Sequence, residues 1–519
     1  MTSSPDTARP PLAWPLLIPV LLLALGVHAL PQPGFGFHRD ELLYYAMGDH
    51  VDFLRMQFPP LIALAARVMK GTFGDAVAGA RLLPALAHGA LIVLAAAMAR
   101  AMGGTGRSQL LAGLGILVAP VFVRAGTLFQ PVVFEMLWWA IALLALLELL
   151  RAGTVHPGDN RWWVVLGIAL GLGAMTKFSI VFLMLGTFVT ILLSPLRKAL
   201  LTRWPWVAAL ITLVLSLPAL LGQAAWHWPF LVQLQSLRES QLERVSPLAF
   251  LAAQPMMLGP AAVLMLAGAW SLTAGTLSAR FRPMAYAAIS VLAVLLVLHG
   301  KDYYFAAMHL LLVAAGAVAL VQWSGRHGWR WPLPAVAALL LVGGAALLPL
   351  GAPILPRDGL ARYAARLGIT RTVMTNRGSL LPLPQDFADM IGWEELATTT
   401  ARVYHALPEV EQPRAAVVGG NYGRAGALAL YAARLGMPYP VSRHGDFYNW
   451  GLPAGPVDIL IITGGSVTEY QPVCEAVSEE ARMVNPWGVD EEQEVPILLC
   501  RGLRRPLPEL WKLLGPVWG

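Results

Sequence analysis

Charge is scarce in this chain. Asp, Glu, Lys and Arg make up 13% of its 519 residues, against about 25% in a typical soluble domain. A large soluble protein is thereby excluded. Cysteine is scarcer still, with only Cys474 and Cys500, which rules out a disulfide framework and a cysteine-built metal site. The two could pair if their region faces an oxidising compartment; two separate thiols are the alternative. No block of basic residues accompanies the net charge of +7. The bases are dispersed through short gaps between apolar runs, so no nucleic-acid partner is expected. Internal repeats and low-complexity segments are also missing.

What the chain has is apolar length: 57% of its residues are hydrophobic. Residues 1–13 are polar and Pro-rich and are expected to be disordered. A run over 14–30 follows, bounded by Arg9 and Pro31-Gln-Pro33, and reads as an uncleaved first membrane helix. A signal peptide is the alternative, because Val27-His-Ala29 weakly resembles a cleavage site. Further runs lie at 77–99, 108–123, 130–150, 162–176, 178–194, 205–222, 248–274, 284–298, 304–322 and 332–350. With the first, that makes about eleven spans, several shorter than the roughly 20 residues that cross a bilayer. The expected fold class is an α-helical polytopic membrane protein followed by a small α/β extracytoplasmic domain.

Basic loops suggest the orientation. With the N-terminus inside, inner loops hold Arg100, Arg107, Arg151, Arg161, Arg197, Lys198, Arg203, Arg280, Arg282, Arg326 and Arg330, with Asp159 as their one acid. Outer loops hold bases too, Arg238 and Arg244 among them, but these accompany acids or stand beside aromatics. An odd number of spans then puts 354–519 outside, beyond a membrane domain over 1–353 whose first outer loop covers 31–76. Within that loop, 61–70 reads as an interfacial helix carrying Arg67 and Lys70. The tail holds strand-like runs at 414–420, 457–463 and 495–500 and a helix near 423–435, a pattern that predicts a mostly parallel sheet.

Polar residues at the outer ends of the spans are the candidates for chemistry. The first loop opens with Gly36-Phe-His-Arg-Asp-Glu-Leu-Leu-Tyr-Tyr45. Asp40 and Glu41 diverge by about 100° on a helix, so they cannot share a task. One could act as a general base towards an acceptor hydroxyl; a solvated salt-bridge cluster with Arg39 is the alternative. Tyr44 belongs to the same stretch. Lys177, in Thr176-Lys-Phe-Ser179, and Lys301, in Gly300-Lys-Asp-Tyr-Tyr304, either snorkel to the interface or neutralise an anion such as a lipid phosphate. Glu135 is an intramembrane acid, a functional candidate by default, or a hydrogen-bond partner of a neighbouring helix. Trp226, His227 and Trp228 could stack on a sugar or prenyl chain, or form an interfacial belt. Arg124 shares the outer side. His38, Asp40, His50 and Asp52 could hold a divalent cation, though no spacing is diagnostic. Gly420-Asn-Tyr-Gly-Arg-Ala-Gly426 lacks dinucleotide-binding spacing and reads as a turn with close packing.

Several short motifs, taken in order, resemble the bacterial and archaeal branch of glycosyltransferase family 39. These are the protein mannosyltransferase-like and aminoarabinose-transferase-like membrane enzymes with the GT-C fold. The motifs are the acidic pair after the first helix, Pro59-Pro60, the Phe134-Glu-x-x-Trp138 helix, Thr176-Lys-Phe178 and Lys301-x-Tyr-Tyr304. In the tail, 420–428, Gly436-Met-Pro438 and Asn449-Trp-Gly451 are similar as well. The resemblance implies a polyprenyl-phosphate-linked sugar donor, transfer at the outer face and inversion at the anomeric carbon. It implies Asp40 as base with Glu41 beside it, and lipid-phosphate binding by Lys177 and Lys301; Arg39, Tyr303 and Tyr304 are further candidates for the donor site on the reading of the residues. Two departures concern substrate identity. Phe305-Ala-Ala-Met-His309 replaces a proline-rich continuation, and Ser442-Arg-His-Gly445 replaces Ser-Gly-His-Asn.

The expected function is transfer of a hexose or pentose from a lipid phosphate to an envelope protein, lipid or glycan in the bacterial inner membrane. A transporter or lipid flippase with an accessory outer domain is the alternative, and a non-catalytic scaffold the third reading. No organic cofactor is expected, and a divalent cation is left open.

Overall fold

The protein is described by a computed structural model over residues 10–30, 32–152, 160–240, 242, 246–368, 378 and 380–518. The expected disorder at 1–13 falls mostly on residues outside that set, as do Asp159 and Arg244. The chain forms two compact units. One holds 1–31, 81–220 and 242–352; the other holds 32–80, 221–241 and 353–519.

The first unit is a bundle of apolar helices. Among the described residues, seven helices are long and apolar enough to cross a membrane: Val77–Ala101, Pro131–Ala152, Trp204–Ala225, Pro247–Thr273, Ser278–Val297, Asp302–Arg326 and Pro332–Gly351. Two bent pairs, Gly106–Val118 with Pro120–Thr127 (62°) and Ile180–Leu192 with Pro195–Leu201 (95°), raise the number to nine. Trp14–His28 and Arg161–Ala174 are apolar but shorter. Eleven spans are therefore not reached on length and composition alone. The difference comes from two breaks and two short helices, each lying in an expected run.

Packing in this unit relies on small residues, as helix contacts in lipid do. A Cβ at Gly268 would sit 1.8 Å from the Leu312 carbonyl oxygen, and one at Gly316 would sit 1.8 Å from that of Leu264. Only glycine permits this approach. It draws the helix that begins at Asp302 into the bundle core, where Leu310, Leu311 and Val313 are fully buried.

The second unit contains a four-stranded sheet: β1 (Ala415–Gly419), β2 (Ile459–Thr463), β3 (Cys474–Val484) and β4 (Glu494–Leu503), in the order β1-β2-β4-β3. Only β1 and β2 run parallel; β4 is antiparallel to both β2 and β3. The sheet is thus mixed, which corrects the mostly parallel expectation. β3 escaped the sequence reading because it is an edge strand studded with Glu475, Glu479, Glu480 and Arg482, without an apolar run. Cys474 on β3 and Cys500 on β4 form a disulfide, so they are not two separate thiols.

Candidate functional site

In the second unit the stretch around Asp40 becomes the helix Arg39–Met47. His38 caps it: its Nδ1 accepts the Asp40 amide at 3.0 Å, while the Glu41 carboxylate accepts the His38 amide at 2.7 Å. This reciprocal capping box satisfies two backbone donors that the helix start would orphan. It also turns Glu41 inward, fully buried. An accepting Nδ1 leaves the ring proton of His38 on Nε2, which faces Asp389 at 3.9 Å.

Arg39 is the hub of an ion-pair network. Its guanidinium lies 2.7 Å from Asp389 and also pairs with Glu491, so two carboxylates already offset its charge. Burial opposes that charge, but Asp389 foremost among the neighbours outweighs it and raises the pKa. Asp40 is half-buried, and its Oδ1 accepts the Tyr422 hydroxyl at 2.9 Å. Tyr422 opens the helix Tyr422–Tyr431 immediately after the Gly420-Asn421 turn. That helix packs directly on the Asp40 helix. A Cβ at Gly423 would lie 2.5 Å from Arg39 Cγ, and one at Gly426 would lie 2.8 Å from the Leu42 carbonyl carbon. The turn-and-packing reading of 420–426 is correct, and its partner is the helix that carries Asp40.

The rest of the first loop is fixed within the same unit. Tyr44 stands edge-on to Phe58 at 6.0 Å, and Lys70 pairs with Asp49 at 2.6 Å. The expected interfacial helix, Leu61–Phe73, also sends Arg67 Nε to the Gly48 carbonyl at 3.1 Å. Trp226 donates its indole N–H to the Arg55 carbonyl at 2.7 Å. His227 and Trp228 follow with φ of 57° and 62°. Such left-handed conformations of bulky residues cost on the order of 1–3 kcal/mol and concentrate at functional sites. The four-residue cation site does not assemble. Among the described residues no three of His, Cys, Asp and Glu group as metal ligands. His50 stacks on Trp450 at 4.3 Å, and Asp52 accepts the Leu54 amide at 3.1 Å.

In the first unit a second group of candidates converges. Lys177 occupies the break between the helices Arg161–Ala174 and Ile180–Leu192. Its ammonium lies 3.5 Å from Glu135, 4.4 Å from the Tyr304 ring centroid and 4.9 Å from that of Tyr303. Glu135 also accepts the Ser179 hydroxyl at 2.5 Å. Lys301 begins the turn that presents both tyrosines, preceded by His299 at φ 53°. Gln254 donates to the Asp302 carbonyl at 3.3 Å in that turn, and buried His309 holds the other end of the Gln254 amide at 3.1 Å. Arg124 lies in the last turn of Pro120–Thr127, half-buried.

Sequence reasoning missed Tyr422, Asp389, Glu491 and Gln254. Each is an ordinary residue of its type, made relevant only by a partner far away in the chain. His309 stood out only as a departure from a family pattern.

Comparison with known proteins finds likenesses of three kinds. Residues 57–221 match the family model described as dolichyl-phosphate-mannose-protein mannosyltransferase. The lipid A galacturonosyltransferase RgtD of Rhizobium johnstonii is 28% identical over 186 residues, 36% of this chain and 38% of that protein. The aligned part thus spans well under half of that relative. Among solved structures, ArnT from Cupriavidus metallidurans bound to undecaprenyl phosphate superposes with a TM-score of 0.60 at 16% identity, over 94% of this chain and 98% of that one. The archaeal oligosaccharyltransferase AglB from Archaeoglobus fulgidus, in complex with an inhibitory peptide and a dolichol-phosphate, gives 0.52 at 13% identity, over 89% and 70%. At such identities the structures establish the fold alone. Residues 57–221 resemble that mannosyltransferase family, and the chain as a whole shares the fold of ArnT.

Proposed function

We propose that this protein is a membrane glycosyltransferase that moves a sugar from a polyprenyl-phosphate donor to an envelope acceptor. Asp40 takes the proton from the acceptor hydroxyl or amine as that atom attacks the anomeric carbon. The bond from that carbon to the phosphate oxygen breaks, the configuration inverts and the polyprenyl phosphate departs. Lys177 neutralises the charge developing on the departing phosphate, with Lys301 as a further cation for the donor. The observation that carries the reading is the fixed setting of the Asp40 carboxylate. It stands on a capped helix start, with one oxygen held by Tyr422. A base needs that kind of placement within hydrogen-bond reach of the proton it takes.

The relatives support the substrate class. One is named for galacturonosyl transfer to lipid A, and two structures hold undecaprenyl phosphate or a dolichol-phosphate. The reading places the protein in the bacterial inner membrane, with its N-terminus inside and its tail in the periplasm. The Cys474–Cys500 disulfide supports that side for the tail, because disulfides persist in oxidising compartments.

Membranes carrying the full chain are supplied with undecaprenyl-phosphate-linked galacturonosyl, mannosyl and aminoarabinosyl donors. Release of undecaprenyl phosphate and labelling of envelope lipids and proteins are followed. Asp40→Asn is expected to lower turnover by about 10²–10⁴ while the protein stays inserted and folded. Turnover at the wild-type rate in that variant removes Asp40 from the role of base. Movement of labelled lipid across the membrane without sugar transfer by the wild type establishes a flippase instead.

A further inference from the structure

We infer that Tyr422 is a positioning residue for Asp40, which makes the C-terminal tail part of the reacting apparatus. The inference rests on Asp40 acting as the base. The hydroxyl of Tyr422 donates to Asp40 Oδ1 at 2.9 Å, joining residues 382 positions apart in the chain. Fixing one oxygen of a short side chain restricts both of its torsions. The carboxylate is then presented in one orientation instead of being sampled among several, and orientation of this kind is worth a large part of a catalytic barrier.

The tyrosine is itself held from several directions. Asn421, immediately before it, caps the helix by accepting the Arg424 amide at 2.8 Å, and its side-chain amide donates to Glu492 at 2.8 Å. Arg424 also pairs with Glu492 at 2.9 Å. These bonds anchor the start of the helix to the turn before β4. The Arg39 guanidinium lies 6.0 Å from the Tyr422 ring centroid, and Asp389 and Glu491 fix that guanidinium. Gly426 sets its backbone against that of Leu42 and Gly423 sets its own against the Arg39 side chain, so the two helices approach closely enough for the hydroxyl to reach across. Burial foremost, and then the negative charge of Asp40, raises the phenol's pKa well above its usual value, so Tyr422 stays a neutral donor.

A purely structural tyrosine would change stability and leave the turnover of the folded enzyme alone; a positioning one lowers kcat at unchanged KM. The test uses the full chain in nanodiscs with the turned-over undecaprenyl-phosphate-linked sugar from the panel above. Tyr422→Phe is expected to lower kcat by about tenfold or more, with KM and affinity for undecaprenyl phosphate alone unchanged. Tyr448→Phe is the control: its hydroxyl donates to the Trp511 carbonyl at 3.3 Å in the same unit. That variant is expected to keep both kcat and KM. In an Asp40→Asn background, Tyr422→Phe is expected to cost nothing more. An inactive Asp40→Asn together with a Tyr422→Phe of wild-type kcat overturns this inference and leaves the base intact. A fully active Asp40→Asn overturns both.

Discussion

Lys177 and Glu135 stand 3.5 Å apart, with the faces of Tyr303 and Tyr304 against the ammonium. A lysine that merely snorkelled would point its head to water. This one is held by a carboxylate and two rings, and its side chain is only 22% exposed. Little side-chain freedom remains to an ammonium so confined, and that is the ground for testing it as an anion site.

The consequence is measurable with the lipid phosphate alone. Lys177→Met is expected to weaken undecaprenyl phosphate binding and to reduce turnover by about 10- to 100-fold, the range for losing one charge-assisted contact. Lys177→Arg keeps the charge but not the fit between the two rings, so an intermediate loss is expected. Microscale binding of labelled undecaprenyl phosphate in detergent separates these outcomes. Equal affinity in the methionine variant removes Lys177 from the donor site.

Glu41 lies next to the proposed base but faces the opposite way chemically. Its carboxylate accepts the His38 amide and is fully buried. Glu41→Gln retains an acceptor and is expected to lose little. Glu41→Ala removes half of the capping box, at a cost of about 1–2 kcal/mol. Thermal unfolding of both variants, followed by tryptophan fluorescence beside turnover, decides between a structural and a catalytic role. A stable but inactive Glu41→Gln would make Glu41 a reacting group.

How much of this was legible in the sequence depends on the range of the contacts. The spans were readable because each is a local apolar run, and the capped helix start was at least marked by the local pattern His38-Arg-Asp-Glu41. Three tail strands were readable for the same reason. The mixed sheet was not: strand direction depends on the connection, and the charged edge strand β3 that turns back into β4 carries no apolar signal. Tyr422 was invisible for a different reason. It sat in a motif whose glycines announced close packing without naming the partner, and the partner lay 382 residues earlier. The disulfide was weighed only as one of two alternatives, because spacing alone cannot bring Cys474 to Cys500.

Asp446 gives the second unit a pH dependence of its own. Its Oδ1 accepts the Gln57 amide at 2.7 Å, tying the tail to the first loop, and the side chain is buried. Burial pushes this carboxyl up to about 7, against the smaller opposing pull of backbone amides. Below about pH 4, the ordinary aspartate value, folded and unfolded chains are both protonated here, and the contribution is complete. Between about 4 and 7 the folded state keeps the proton that the unfolded state has released. Stability from this group therefore falls as pH rises, by at most about 1.4 kcal/mol per unit. Above about 7 both states are ionised and the decline stops. Asp446→Asn removes the titration and keeps the acceptor for Gln57. The difference in unfolding temperature between wild type and variant, taken from pH 4.5 to 8, is expected to move in the variant's favour across that window and then level off. A difference that stays constant with pH would mean that Asp446 is already ionised in the folded protein.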